Sequence, residues 1–230
     1  MSYARSQGGA RGHGGGGQRG DGRGGSGRDH GGGSEPSSWA RRCFGEAAAA
    51  LAAAIPERLL RAHERALAAH LGAGLKRHGP YGRTLLEAAR EELAEAAQAL
   101  GGDARELHGY TYAVLNDHVL FPYKYADRPL PLDRARMPHA SVTRQRLYHA
   151  HGPEGQEGLF PLDEELTTEE YQQMHEAFEE LGRTARLVSV FFTADPEGGI
   201  HAVHWGSARL EPDHTFAWEP SEQLDLPARR

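Results

Sequence analysis

Residues 108–125 read HGYTYAVLNDHVLFPYKY, and this stretch decides the fold. Residues 108–115 and 118–125 are rich in Tyr, Val, Phe and Leu, and they flank Asn116-Asp117. Asn and Asp tolerate the left-handed backbone of a two-residue hairpin turn, so the stretch predicts two antiparallel strands. A turn at 116–117 sets the register, with Val114 opposite Val119, Tyr112 opposite Phe121, Tyr110 opposite Tyr123 and His108 opposite Tyr125. All eight fall on one face under the two-residue strand period. That aromatic face is expected to be core, roofed by leucine-bearing helices, rather than an open platform for stacking bases. Pro122 has no N–H to give a ladder, which predicts that the second strand is an edge or is bulged there.

The residues before the hairpin follow a helical period. Trp39 to Ile55 reads as one helix after Ser37-Ser38, and Pro56 suits the first turn of a second. Leu60, His63, Leu67, Leu71 and Leu75 then recur at three- and four-residue spacing. Gly79-Pro80-Tyr81-Gly82 breaks the chain. A third helix, 83–100, carries Leu86, Ala89, Leu93, Ala96 and Leu100 on one face and stops at Gly101-Gly102.

After the hairpin, 126–140 is a proline-broken connection, 141–149 a short helix and 150–166 a loop. Thr167 and Glu170 fit a capping box, opening a helix with Tyr171, Met174, Phe178 and Leu181 as its apolar stripe. Three strands are expected next: 185–193, 200–210 and 215–218, joined by Asp195-Pro196-Glu197-Gly198-Gly199 and Glu211-Pro212-Asp213-His214. The fold class read from this order is α+β. It comprises an antiparallel sheet of about five strands, a hairpin plus a three-strand meander, covered by about five helices.

Composition divides the chain in two. Residues 1–38 hold 15 of the 30 glycines and almost no apolar side chain, so they read as a disordered, low-complexity Gly/Arg-rich tail. Residues 39–230 read as a single α+β domain, with 39–78 either part of it or a separately docked helical hairpin. The chain carries a net charge of −6; five tail arginines against Asp21, Asp29 and Glu35 leave the rest more acidic still. An acidic body repels a nucleic-acid backbone, although it does not exclude a local basic strip. The lone Cys43 excludes an intramolecular disulfide and a cysteine-rich zinc site. No apolar run reaches the roughly 18 residues of a spanning helix, and the N-terminus lacks the apolar core of a secretory signal. The expectation is a soluble cytoplasmic protein without a membrane partner.

There is no phosphate loop, no Gly-x-Ser-x-Gly elbow and no dinucleotide fingerprint after a strand. Fourteen histidines are the most suggestive feature. His63-Glu64 begins like a zinc-protease motif, but the fourth position after His63 is Leu67, so the second ligand is missing. His63 with His70, and His175-Glu176 with Glu179, read as packing or surface. His149-Ala150-His151 has a spacing that some metal hydrolases use, but it ends a helix before Gly152-Pro153. His201 and His204 point to opposite faces of one strand. A restriction-type nuclease reading on Asp117 and Lys124 suffers because both sit on one strand, at opposite ends, with Pro122 between.

Charge segregation is the most usable clue. Residues 124–146 carry Lys124, Arg128, Arg134, Arg136, Arg144 and Arg146 against Asp127 and Asp133, whereas 154–182 carry ten acidic side chains and no Lys or Arg. Lys124, Arg134, Arg136, Arg144 and Arg146 are therefore the candidate residues for an anion or a carboxylate-rich partner. Three functions follow in order. The first is a non-catalytic interaction or accessory protein with a protein partner. The second is a metal-assisted hydrolase or nuclease using His and Asp residues near the sheet. The third is a nucleic-acid-associated protein using the Arg-Gly tail and the 124–146 strip. The order leans away from an enzyme, and no cofactor or metal is expected.

Overall fold

The structure is a computed structural model that describes residues 35–107, 110–138, 144, 145, 148, 152 and 185–228. All of these belong to one compact unit, Ser34–Arg230. The expected helices at 141–149 and 167–181 lie wholly or mostly outside the described residues, although Arg144, Gln145 and Tyr148 have helical backbone.

Ser37 caps helix α1 (Ser38–Phe44) by accepting from the Ala40 N–H at 3.1 Å. Gly45, with φ +58°, turns the chain through a short 3₁₀ segment, Gly45–Ala47, into α2 (Ala48–Ala73). Together these make one 36-residue helical run, followed by α3 (Gly79–Ala99). The expected break at Pro56 is absent, and Pro56 lies inside α2. A proline in a helix interior costs about 3 kcal/mol. Leu51, Ile55 and Leu59 are fully buried on one stripe that crosses it, at about 1.5–3 kcal/mol each, which outweighs the lost bond.

The buried stripe of α2 is Leu51, Ile55, Leu59, Ala62 and Ala66, rotated from the leucine row expected from spacing. Leu71 is 68% exposed and Leu75 48%. Alanines let α2 and α3 approach closely, and Ala88, Ala89, Ala96 and Ala97 of α3 are buried in turn. Ion pairs clamp the rim of this seam: Arg58 and Arg65 both bond Glu92, at 3.1 and 3.3 Å, while Glu95 and Glu91 take their remaining N–H groups.

Six strands form one sheet in sequence order: β1 (Asp103–Leu107), β2 (Tyr110–Leu115), β3 (His118–Ala126), β4 (Arg186–Asp195), β5 (Gly199–Leu210) and β6 (Phe216–Leu224). The turn Asn116-Asp117 has φ +49° and +58°, and Val114 pairs with Val119 as the hairpin requires. Among the described residues the β2–β3 ladder runs from Leu115↔His118 to Ala113↔Leu120. Pro122 follows where that ladder ends, which lets it sit in an interior strand rather than at an edge.

The expected antiparallel five-strand sheet under about five helices is thus corrected. The sheet has six strands and is mixed, because β3 and β4 run parallel. The described helices are the long run and α3. Short turns force antiparallel neighbours, whereas a parallel pair needs a crossover of a dozen residues or more. The chain between Ala126 and Arg186 is long enough for that crossover.

The roof of the aromatic face also differs from expectation. Helices α1–α3 cover the opposite face, where Ala113, Leu115, Leu120, Val190, Phe192 and Trp205 join their core. Tyr112, Phe121, Tyr123, Phe191 and Phe216 are instead packed with Ala135, Met137 and Tyr148, from the chain that follows β3.

Candidate functional site

An open cleft of about 640 Å³ lies between α3 and the carboxyl end of β3. On α3, Arg83, Leu86, Glu87 and Arg90 line it; their spacing of three, four and seven puts them on one helix face. On the sheet side it is lined by Lys124 to Asp127, and Arg144 closes a third side. The β3–β4 register shifts between Lys124 and Ala126, so Tyr125 is an extra residue. Such a bulge re-aims neighbouring side chains at the end of a strand.

Each charged group has a defined environment. Arg90 is only 9% exposed, and one of its terminal nitrogens donates to both Glu87 oxygens, at 3.0 and 3.1 Å. Lys124 is ion-paired with Asp127, and its ammonium lies 5.7 Å from the centre of the Tyr81 ring. The Arg144 guanidinium lies 5.7 Å from the centre of the Tyr123 ring. Burial pushes the Tyr123 phenol up to about 12, with Arg144 opposing, and its hydroxyl donates to the Arg136 carbonyl oxygen at 2.8 Å. Arg83 is exposed, and neither it nor Arg144 has a carboxylate partner among the described residues. Among the described residues, four cations against Glu87 and Asp127 give the cleft a charge of +2, in a chain of net charge −6.

Behind the cleft stands a buried polar network centred on Tyr81. Its hydroxyl donates to the Asp195 main-chain oxygen at 3.3 Å and lies 2.8 Å from His63 Nδ1. The His70 ring packs edge-on against Tyr81. His63 and His70 do share a helix face, and what they share it for is this tyrosine. Burial, reinforced by the Asp195 charge, raises the Tyr81 phenol well above its ordinary value.

Asp195 accepts from the Gly198 and Glu197 N–H groups and from His201 Nε2 at 2.6 Å. The Gly198 bond, then His201, hold its carboxyl down at about 2. His201 sits at a register shift in β5, where Ala194 pairs with Ile200 and Thr193 with Ala202. The two-residue alternation that would fix its side is therefore broken at that point. A Cβ at Gly198 would lie 2.4 Å from the His201 ring, so a larger residue there must displace that ring.

The basic strip read from the sequence is split by the fold. Lys124 and Arg144 reach the cleft. Arg134 is exposed at the end of a 3₁₀ turn, Leu132–Arg134. Arg136 bridges to Thr215 and bonds Asp213 at its carbonyl oxygen, 3.3 Å away. Arg146 lies outside the described residues, as do His149, His151, His175 and the acidic stretch 154–182.

The basic strip does not include Arg83 and Arg90. Their signal in the sequence is the i, i+7 spacing around Glu87 on α3, which a core stripe through Leu86 hides. The residues considered for catalysis are dispersed. The Asp117 main-chain oxygen accepts from Arg186 N–H at 2.9 Å as part of the turn. His118 donates to the Asn116 carbonyl oxygen at 2.6 Å, lies tilted against the Phe44 ring, and has its pKa lowered by burial. His204 stands in mid-strand opposite Phe191, its pKa also lowered by burial. Among the described residues no three His, Cys, Asp or Glu side chains are grouped so as to hold a metal ion. No described helix is long and apolar enough to cross a membrane.

Compared with family models, curated proteins and solved structures, the chain matches none.

Proposed function

We propose that this chain is a non-catalytic interaction protein that takes an anionic group of its partner into the cleft between α3 and the end of β3. The observation that carries this reading is the cleft's local charge of +2 within a chain of −6, with Arg83 and Arg144 both lacking a carboxylate partner among the described residues. A guanidinium presents a fork of N–H donors that matches carboxylate and phosphate oxygens, and it holds its charge at any working pH. Among the described residues the cleft also offers little to acid–base or nucleophilic chemistry. The two carboxylates that line it bond Arg90 and Lys124, and its lysine is ion-paired.

The test is an amide NMR titration of the full chain with succinate and with inorganic phosphate, at about 30 mM and about 300 mM salt. Shifts confined to Arg83, Arg90, Lys124, Arg144 and their neighbours are expected at low salt, fading at high salt as exposed charges are screened. Arg83→Gln and Arg144→Gln should each weaken them. If neither anion perturbs these residues at low salt, the reading fails.

A further inference from the structure

We infer that the anionic group the cleft accepts is a phosphate monoester, an inference that rests on the binding reading above and narrows it. Charge is the first argument. With Arg90 and Lys124 already matched by Glu87 and Asp127, the uncompensated charge among the described residues is that of Arg83 and Arg144, two units. A phosphate monoester carries about −1.5 to −2 at neutral pH and neutralises it in one group, whereas a carboxylate group brings only one charge and a dicarboxylate such as succinate spreads two over separate groups.

Direction is the second argument. The cations come from three separate elements: Arg83 and Arg90 from α3, Lys124 from β3, and Arg144 from the chain beyond it. A carboxylate presents two coplanar oxygens and suits a single guanidinium fork. The three terminal oxygens of a phosphate monoester are arranged tetrahedrally and accept from several sides at once.

Gly82, in the first turn of α3, also lines the cleft. The positive end of that helix dipole adds to the field there.

Shape and rim charge argue against an extended polyanion. Glu87 and Asp127 are 46% and 77% exposed beside the cations, and the chain as a whole is acidic. A nucleic-acid strand following the cleft would run into these carboxylates, and each of its phosphodiesters carries only one charge. A single dianionic group avoids them. Leu86 and Tyr125 give the cleft walls against which the ester's organic part can pack.

The experiment titrates the full chain, at about 50 mM salt, with five probes: glycerol phosphate, an acetyl-Gly-phosphoserine-Gly-amide peptide, succinate, sulfate and a dimethyl phosphodiester. Both monoesters are expected to bind at least tenfold more tightly than succinate or the diester, with shifts centred on Arg83, Lys124 and Arg144. Monoester affinity should fall as pH drops from about 7.5 to 5.5, because the second phosphate proton returns near pH 6. Sulfate, dianionic throughout, should lose none. Arg83→Gln, an exposed change that leaves the fold intact, should weaken the monoesters about fivefold or more. The double variant with Arg144→Gln should abolish their binding.

If the peptide binds more tightly than glycerol phosphate, the source is a phosphorylated side chain of a partner. If the two are equal, the source is a small phosphorylated molecule. Succinate or the diester binding as tightly as the monoesters overturns the monoester inference and leaves the broader reading standing. Silence from all five probes ends both.

Discussion

The two faces of the sheet are sealed by different chemistry. On the helical face the core is built from small and aliphatic side chains, with Trp205 stacked on Phe44 at 5.3 Å and edge-on to Trp39 at 5.4 Å. Among the described residues its polar bonds are few: the Arg58–Glu92 pair lies at the rim, and inside the layer the Tyr81 hydroxyl bonds His63 and the Asp195 carbonyl oxygen. On the other face the core is aromatic and carries its polar groups inside. The Tyr148 hydroxyl lies 2.8 Å from the Ser189 hydroxyl, Tyr123 bonds the Arg136 carbonyl oxygen, and Tyr125 bonds the Leu130 carbonyl oxygen. A mainly aliphatic layer asks chiefly for shape, with Tyr81 its one tyrosine to satisfy among the described residues. A tyrosine layer must also satisfy each hydroxyl it buries, and this ties it to particular carbonyls of the chain that follows β3.

That difference can be broken from either side. The largest effect is expected from Trp205→Ala, which empties the stacked cluster on the helical face and should cost about 3–5 kcal/mol in denaturant unfolding. A loss below about 1 kcal/mol would mean that this face is not close-packed. On the aromatic face, Tyr148→Phe keeps the ring but strands the fully buried Ser189 hydroxyl, with an expected cost of about 1–3 kcal/mol. Adding Ser189→Ala to it should recover part of that loss. If the double variant is worse than the single, the hydroxyl pair is not what the face requires.

Acidification tests a polar group of the helical face. Asp195 titrates at about 2, below its ordinary value near 3.9 in an unfolded chain. Its contribution is therefore complete above about pH 4 and is lost as pH falls through 2, amounting to about 2–3 kcal/mol at most. Asp195→Asn should flatten the stability curve over that range, and an unchanged slope would remove Asp195 from the account. The smallest effect is expected at Arg134. It belongs to neither core and does not line the cleft, so Arg134→Gln should change stability by less than about 0.5 kcal/mol and leave cleft binding as it was.

Legibility followed range along the chain. The hairpin at Asn116-Asp117 was readable because a two-residue turn and its flanking alternation constrain each other over ten residues or fewer. Ser37 before α1 and the glycines that end α3 are equally local signals. Pro56 misleads because its local penalty carries no information about the buried stripe that overrides it. Half of the cleft's cations, Lys124 and Arg144, stood out as a basic strip. Arg83 and Arg90 did not, because nothing within their own helix says which polar face will meet the end of β3.

The residues by themselves determined the turn, the ends of several helices and the strand alternation, all set by steric and hydrogen-bonding preferences acting over a few bonds. Only the tertiary structure decided that β4 runs parallel to β3, that the helices cover the aliphatic face rather than the aromatic one, and that cations from positions 83, 90, 124 and 144 meet in one cleft. The physical reason is that these outcomes depend on burying surfaces far apart in the chain against one another, and no short window of side chains contains both partners.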